Sequence, residues 1–356
     1  MNLFTQLRLA ATKFGQEVLD LSRCVDSSHP DCERGENLFK LEKFAEAEES
    51  FLRAASDMKS RSAPAAVQVS ILLALARTQL KLMKVCEARV TTQSAYELLK
   101  AKKPSPELSV CLDLQGCLQQ LEGDGAGARK LFREALEVQL SLVPLEPVLL
   151  LECYERLASA LQNAGELSDA RDVLTQAADA AEKHFGAMSP ALANCLLDLG
   201  ACQFISGDVK AGIRSSERAI QIHHEVAGPM SEQVVQDLQS LAAACQQAGD
   251  LDSAVRYYER AISIRERQVG GAPGDIAVLL MRLAETQSLR GNDATVTELL
   301  QSAVGKLEFA NDVRHAEALE RLSEHYARQG RPAEAVSLLQ RTSVVEDKKL
   351  QTPARP

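Results

Sequence analysis

The sequence predicts an all-α solenoid of about eight antiparallel helix hairpins, on three observations. Its 356 residues include only 19 glycines and 12 prolines, together fewer than the ~12% of average usage, which argues against an all-β fold with frequent tight turns. Alanine, leucine, glutamate, glutamine and arginine, which lose little entropy in a helix, are abundant. Five glycines also recur at intervals of 42 residues: Gly123, Gly165, Gly207, Gly249 and Gly291.

Each element of the repeat follows from the residues around that glycine, as the unit centred on Gly249 illustrates. Leu241-Ala242 belongs to the first helix, which the glycine ends in a left-handed conformation that has no Cβ penalty. Asp250 comes next, where a negative charge suits the start of the second helix. The small Ala254 lets the two helices approach closely, and the larger Tyr258 fills space beside them.

Weaker copies of the unit extend the repeat in both directions. LEKFAEAEESFLRAA at 41–55, LMKVCEARVTTQSAYELL at 82–99 and GRPAEAVSLL at 330–339 fall in register at intervals of 41, 40 and 39 residues. The prediction is therefore eight repeats over residues 28–342 with no domain boundary inside the array. Residues 1–27 are predicted to form an amphipathic N-terminal capping helix, and residues 343–356 a disordered C-terminal tail.

The net charge and the cysteine pattern limit the classes of partner and the cellular compartment that the sequence predicts. The net charge of -9, from 40 basic and 49 acidic residues, opposes nucleic-acid binding, which needs a basic surface. Nine cysteines without a CxxC pair predict reduced thiols that pack as small apolar residues. The sequence has no apolar run of membrane-spanning length. We expect a cytoplasmic protein, with a mitochondrial transit peptide left open by the basic, acid-free first sixteen residues.

No motif in the sequence predicts catalysis, a cofactor or a metal site. The segment GDGAG at 123–127 follows a helix pattern and lacks the Lys-Ser/Thr of a phosphate-binding loop. The adjacent His223 and His224 diverge around a helix. His315, Glu324 and His325 are better explained as solvated faces or contacts between repeats.

The pattern of Leu-Ala, Gly-Asp/Glu, Ala, an aromatic or Leu, and Ala resembles a tetratricopeptide repeat (TPR) array. The 42-residue period resembles the kinesin-light-chain type, most clearly at 164–190 and 248–271. The resemblance covers most of the chain. It implies a right-handed superhelix whose first helices line a concave groove for peptides.

By that resemblance, polar and glutamine-rich positions line the groove, which runs from weakly basic to acidic and suits an extended segment or a partner helix. The predicted groove residues are Lys40, Arg77, Lys81, Glu152, Glu155, Gln162, Asn163, Asn194, Phe204, Gln236, Gln239, Gln246, Gln247, Glu285, Glu317, Glu320 and Glu324.

Two ligand-binding patterns of similar arrays are missing here. Kinesin light chains carry paired asparagines before the Leu-Ala of the first helix, and the coiled coil of those chains is missing too. The matching pairs are Glu155-Arg156, Leu197-Asp198, Gln239-Ser240 and Met281-Arg282. Co-chaperone arrays clamp a C-terminal carboxylate with Lys, Asn and Arg. The first repeats offer Cys32, Glu36, Leu73 and Arg77 instead.

The sequence thus predicts a non-catalytic protein–protein interaction scaffold or adaptor that binds a peptide segment or a partner helix in its groove. One alternative is a small-ligand or peptide sensor whose superhelix tightens on binding and so regulates a second partner. An enzyme ranks third, because no catalytic domain is attached. Homodimerisation through the exposed faces of the terminal repeats stays open.

Overall fold

The computed structural model describes residues 29–60, 63–100, 102–268, 272–310 and 312–351. All regular secondary structure in these ranges is helical, and the helices pair into eight consecutive hairpins. The chain divides into two compact units, Met1–Ala187 and Met188–Pro356. The division falls just before the helix that begins at Pro190, whereas the sequence predicted no boundary inside the array. The predicted capping helix at 1–27 lies outside the described residues.

Four hairpins belong to each unit, and we number them 1–8 along the chain. The first unit contains α1 (Pro30–Lys40), α2 (Phe44–Ser60), α3 (Ala65–Lys81), α4 (Val85–Leu99), α5 (Pro106–Leu121), α6 (Gly125–Leu140), α7 (Pro147–Asn163) and α8 (Leu167–Phe185). The second unit contains α9 (Pro190–Ile205), α10 (Val209–Ala227), α11 (Glu232–Gln247), α12 (Leu251–Arg267), α13 (Pro273–Leu289), α14 (Asp293–Ala310), α15 (His315–Arg328) and α16 (Pro332–Gln351).

The turn inside each hairpin needs one residue with positive φ. In hairpins 3 to 8 this residue is a glycine with φ between 73° and 89°, at the positions that the period predicted and at Gly330. Glu42 and Met83 take the same place in hairpins 1 and 2, with φ of 59° and 58°. A side chain in this conformation costs roughly 1–2 kcal/mol, so the first two turns are strained and the other six are not.

The acidic residue after the turn glycine has a more specific role than its charge alone. The Asp250 carboxylate accepts a hydrogen bond from the Ser253 backbone N–H at 3.2 Å, and Asp124 accepts one from Gly127 at 2.9 Å. These aspartates are N-caps that satisfy a donor the helix leaves unpaired. Glu166 makes no such bond from its longer side chain.

Small residues face large ones across hairpins 1, 3 and 5. A Cβ on Gly116 of α5 would lie 2.5 Å from the Phe132 ring of α6, and a Cβ on Gly35 would lie 2.7 Å from the Phe51 ring. In hairpin 5 the size difference is reversed, because the ring of Phe204 in the first helix requires a glycine, Gly212, in the second. Close helix contact therefore depends on one missing side chain in each of these hairpins.

The last helix continues past residue 342, where the sequence analysis placed the start of a disordered tail. It runs to Gln351, since no glycine or proline interrupts the chain between Pro332 and that residue. The tail prediction is corrected for 343–351, and residues 352–356 lie outside the described part.

Candidate functional site

The first helices of hairpins 2, 3 and 4 contact one another side by side in the first unit. Their exposed surface carries a group of charged side chains that interact across the helix boundaries. We call this group the charged face: Arg77 and Lys81 on α3, Asp113 on α5, and Glu152 and Arg156 on α7.

Asp113 lies at the centre of the charged face. Its Oδ1 atom is 3.5 Å from Nε of Arg156, and the charge of Arg77 also acts on it. Burial raises the pKa of Asp113, and the two arginines oppose that rise. Within the described part of the chain, this buried oxygen accepts no hydrogen bond of good geometry. The charges of the two arginines therefore balance the cost of holding this carboxylate partly out of water.

The pKa values of the charged groups on either side of Asp113 are also shifted. Burial raises the pKa of Glu152 to about 7, with Asp113 adding to the rise and Arg77 opposing it. The charge of Asp113 raises the pKa of Arg156. Burial, followed by the charges of Arg156 and Arg77, lowers the pKa of Lys81. Mutual charge contacts thus link all three helices.

Glu152 provides a pH-dependent test of this environment. A carboxyl group whose pKa is raised on folding loses stability as pH rises from its unfolded value of 4.5 to about 7. Glu152→Gln is neutral throughout, so the variant should exceed the natural protein in unfolding free energy at pH 8, by about 1–2 kcal/mol. The two should be equal near pH 4.5. Urea denaturation at both pH values measures this, and Glu49→Gln on the exposed surface of α2 should show no such difference.

Two family models described as tetratricopeptide repeats match the chain, one over residues 150–191 and one over residues 204–267. The first match covers most of hairpin 4, and the second covers α10, α11 and α12. The chain contains tetratricopeptide repeats. The all-α solenoid is the fold that the glycine period predicted, and its TPR type is the one that the resemblance implied. No curated protein sequence matches the chain.

Solved structures agree with this fold at low sequence identity. The C-terminal part of a TPR repeat-containing protein from Cytophaga hutchinsonii is 16% identical, with a TM-score of 0.53 over 81% of this chain and 98% of that one. Apo RapI is 12% identical, with a TM-score of 0.51 over 80% of this chain and all of that one. A putative kinesin light chain from Podospora anserina with TPR-like repeats is 19% identical, with a TM-score of 0.45 over 57% and 97%.

The charged face includes some residues that were predicted from the sequence and others that were not. Arg77, Lys81 and Glu152 are among the predicted groove residues, whereas Asp113 and Arg156 are not. Asp113 precedes its turn glycine by ten residues, as Glu155 precedes Gly165. That shared offset was available in the sequence and could have identified it. Of the other predicted residues of this unit, Lys40 and Asn163 are exposed at the ends of α1 and α7, and Gln162 is half-buried. Glu155 is exposed beside the charged face, where its charge raises the pKa of Glu152 and of Arg156.

In the second TPR unit, the predicted residues lie beside groups that the sequence analysis left out. Glu285 is 3.4 Å from Arg282 and 3.8 Å from Arg321, and Arg321 also pairs with Glu317 at 2.9 Å. The acidic end of the predicted groove therefore carries its own positive charges. Glu320 and Glu324 are exposed.

The polar residues of the same unit are dispersed. Gln246 accepts a hydrogen bond from Thr286 at 3.1 Å, and Gln236 donates one to Glu232 at 3.1 Å. Phe204 packs against Gly212 inside its hairpin, so its ring fills the helix interface. The remaining predicted positions are half-buried or exposed: Asn194, Gln239 and Gln247.

Histidines of the second TPR unit form side-chain pairs. Nδ1 of the buried His223 lies 2.6 Å from the carboxylate of Asp237, and Nε2 of His325 lies 2.9 Å from the hydroxyl of Thr297. Across the described ranges, no three His, Cys, Asp or Glu side chains gather in a metal-binding group. None of the described helices is long and apolar enough to cross a membrane.

Proposed function

We propose that this TPR protein is an interaction scaffold that binds a peptide segment of a partner protein across the charged face. The observation that supports this is the half-buried Asp113 carboxylate, which lies between the charges of Arg77 and Arg156 on three neighbouring first helices.

The arrangement favours an extended segment over a compact ligand. Three neighbouring helices, each about 8–10 Å from the next, separate Arg77 at one side from Arg156 at the other. An extended chain rises about 3.3 Å per residue, so roughly six residues would cross all three helices. Lys81 and Arg77 suit an acidic group at one end, and Asp113 suits an N–H donor in the middle.

The hydrogen-bonded hairpins hold these side chains in place before any ligand arrives. Arg77, Asp113 and Glu152 all lie within regular helices that pack against neighbours on both sides. Binding would therefore order the ligand but not the scaffold, which reduces the entropic cost of association.

The test is a selection of random twelve-residue peptides displayed on phage against the natural protein. The enriched peptides are then synthesised, and their Kd values are measured by fluorescence polarisation. Asp113→Asn keeps the shape but removes the charge, and we expect it to raise Kd about tenfold or more, because a charge-assisted hydrogen bond contributes about 1.5–3 kcal/mol.

The matched control is Glu49→Gln, which removes one exposed negative charge elsewhere in the first unit and should leave Kd unchanged. Equal Kd values for Asp113→Asn and the natural protein would show that the charged face is not the binding site. A selection that enriches no peptide would contradict the scaffold proposal itself.

We also propose a cytoplasmic location. Cys111, Cys153 and Cys245 are buried and form no disulfide, and burial raises the pKa of Cys111 to about 12. Such thiols are protonated and pack as small apolar groups. A reducing compartment maintains that state.

A further inference from the structure

A cleft of about 370 Å³ lies on another side of the first unit, between α4 and α6 and above α5. Leu108 and Leu112 of α5 and Val138 of α6 form its apolar floor, and Tyr96, Glu134 and Glu137 belong to its rim. Leu112 and Asp113 are adjacent in α5 and so point about 100° apart around the helix. The cleft and the charged face are therefore separate surfaces.

The rim of the cleft is acidic. Glu134 and Glu137 lie one turn apart on α6, so both carboxylates border the same opening. Glu137 makes no ion pair with any described residue, and Lys130 reaches Glu134 only at 3.9 Å. The one basic side chain in the lining, Lys100, forms an ion pair with Glu97.

We propose that this cleft binds an arginine side chain presented by a partner protein. The aliphatic part of the arginine would contact Leu108, Leu112 and Val138. The guanidinium would then reach the two carboxylates of α6, whose oxygens suit its forked donors, and the half-buried ring of Tyr96 offers a cation–π contact. An apolar floor with a few convergent polar groups is the usual composition of a binding pocket, and the volume lies within the usual range of about 300–1,000 Å³.

The acidic pair is particular to this joint between hairpins. Moving one 42-residue period along the chain places Gln176 and Asp179 at the positions of Glu134 and Glu137. The neighbouring joint thus has one carboxylate where this one has two. The second carboxylate is not needed to build the repeat, and a ligand with a forked cation explains its presence.

The experiment follows the Leu and Val methyl groups of the full chain by NMR during titration with acetyl-Leu-Arg-Leu-amide. The control peptide contains citrulline, which keeps the shape of arginine without its charge. We expect the methyl resonances of Leu108, Leu112 and Val138 to shift with the arginine peptide. The Kd of the citrulline peptide should be at least fivefold higher.

Variants of the acidic rim test whether the arginine peptide binds in this cleft. The double variant Glu134→Gln/Glu137→Gln should raise the Kd of the arginine peptide at least fivefold, while Glu49→Gln should leave it unchanged. Unshifted methyl resonances elsewhere would confirm that the double variant is folded. Equal binding of both peptides, or shifts confined to other methyl groups, would overturn the proposal.

The same titration separates this cleft from the charged face. Asp113→Asn should leave the Kd of the arginine peptide unchanged, because Asp113 lies outside the cleft. If Asp113→Asn weakens binding and the double variant does not, the peptide binds the charged face and the arginine cleft is excluded. The proposed function would survive that result.

Discussion

Replacing Phe132 with alanine is expected to lower the free energy of unfolding by about 3–5 kcal/mol, the usual cost of removing a large buried aromatic ring. The Phe132 ring is only 1% exposed and lies directly on Gly116. Gly116 has no side chain that could move into the vacated space, so the cavity would remain largely open. Urea denaturation followed by circular dichroism, together with hydrogen exchange of the amides in α5 and α6, measures the loss.

A double-mutant cycle tests whether the Gly116–Phe132 contact is the cause. Gly116→Ala alone should cost about 1–3 kcal/mol, because its Cβ would lie 2.5 Å from the ring. In the Phe132→Ala background the same Cβ meets empty space, and its cost should vanish or reverse. Leu140→Ala, at a side chain that is 50% exposed, provides the control for truncation on α6. Strictly additive losses would refute the contact as the origin of the effect.

The second large effect is expected for Asp237→Ala, at about 2–4 kcal/mol. Asp237 is 3% exposed, accepts a hydrogen bond from Gln233, and lies 2.6 Å from Nδ1 of the equally buried His223. Its removal would leave the imidazole buried without that partner, and the other ring nitrogen already has none within the described residues. Unpaired buried polar groups are costly.

An exposed pair on the same helix gives the matched comparison. Glu232 pairs with Arg265 at 2.5 Å, but the glutamate side chain is 53% exposed. Glu232→Ala should therefore cost less than about 1 kcal/mol. Thermal denaturation of both variants measures the difference, and equal losses would show that burial does not set the strength of the His223–Asp237 pair. Replacing both His223 and Asp237 with leucine should recover part of the loss.

The fold was predictable because its turns are periodic. The 42-residue spacing of glycines located five hairpin turns, and the interval of 39 residues located a sixth at Gly330. The weaker copies at 41–55 and 82–99 contain the turn residues of the first two hairpins, Glu42 and Met83. Composition could not show that these two side chains adopt a positive φ, because nothing local favours it. The hairpins impose that conformation by their packing.

The candidate site was less predictable, since its chemistry depends on neighbours from other helices. Arg77 and Glu152 are separated by 75 positions in the sequence, yet their charges interact. The predicted charge gradient was based on the glutamates of α13 and α15. It did not take into account Arg282 and Arg321, which lie beside them. The arginine cleft gave no sequence signal, because its walls come from three helices whose spacing only the structure provides.

In hairpin 5 the large residue lies in the first helix and the small one in the second. This reversal limits how genetic recombination can rearrange the helices of the chain. A crossover in the turn that joined the first helix of hairpin 5 to the second helix of hairpin 6 would place Ala254 where Gly212 now accommodates Phe204. The added Cβ would meet the ring, and the chimeric unit would pack poorly. Crossovers at the joints between hairpins transfer both partners together. The heritable module of this array is thus the complete hairpin, and single helices are not interchangeable parts.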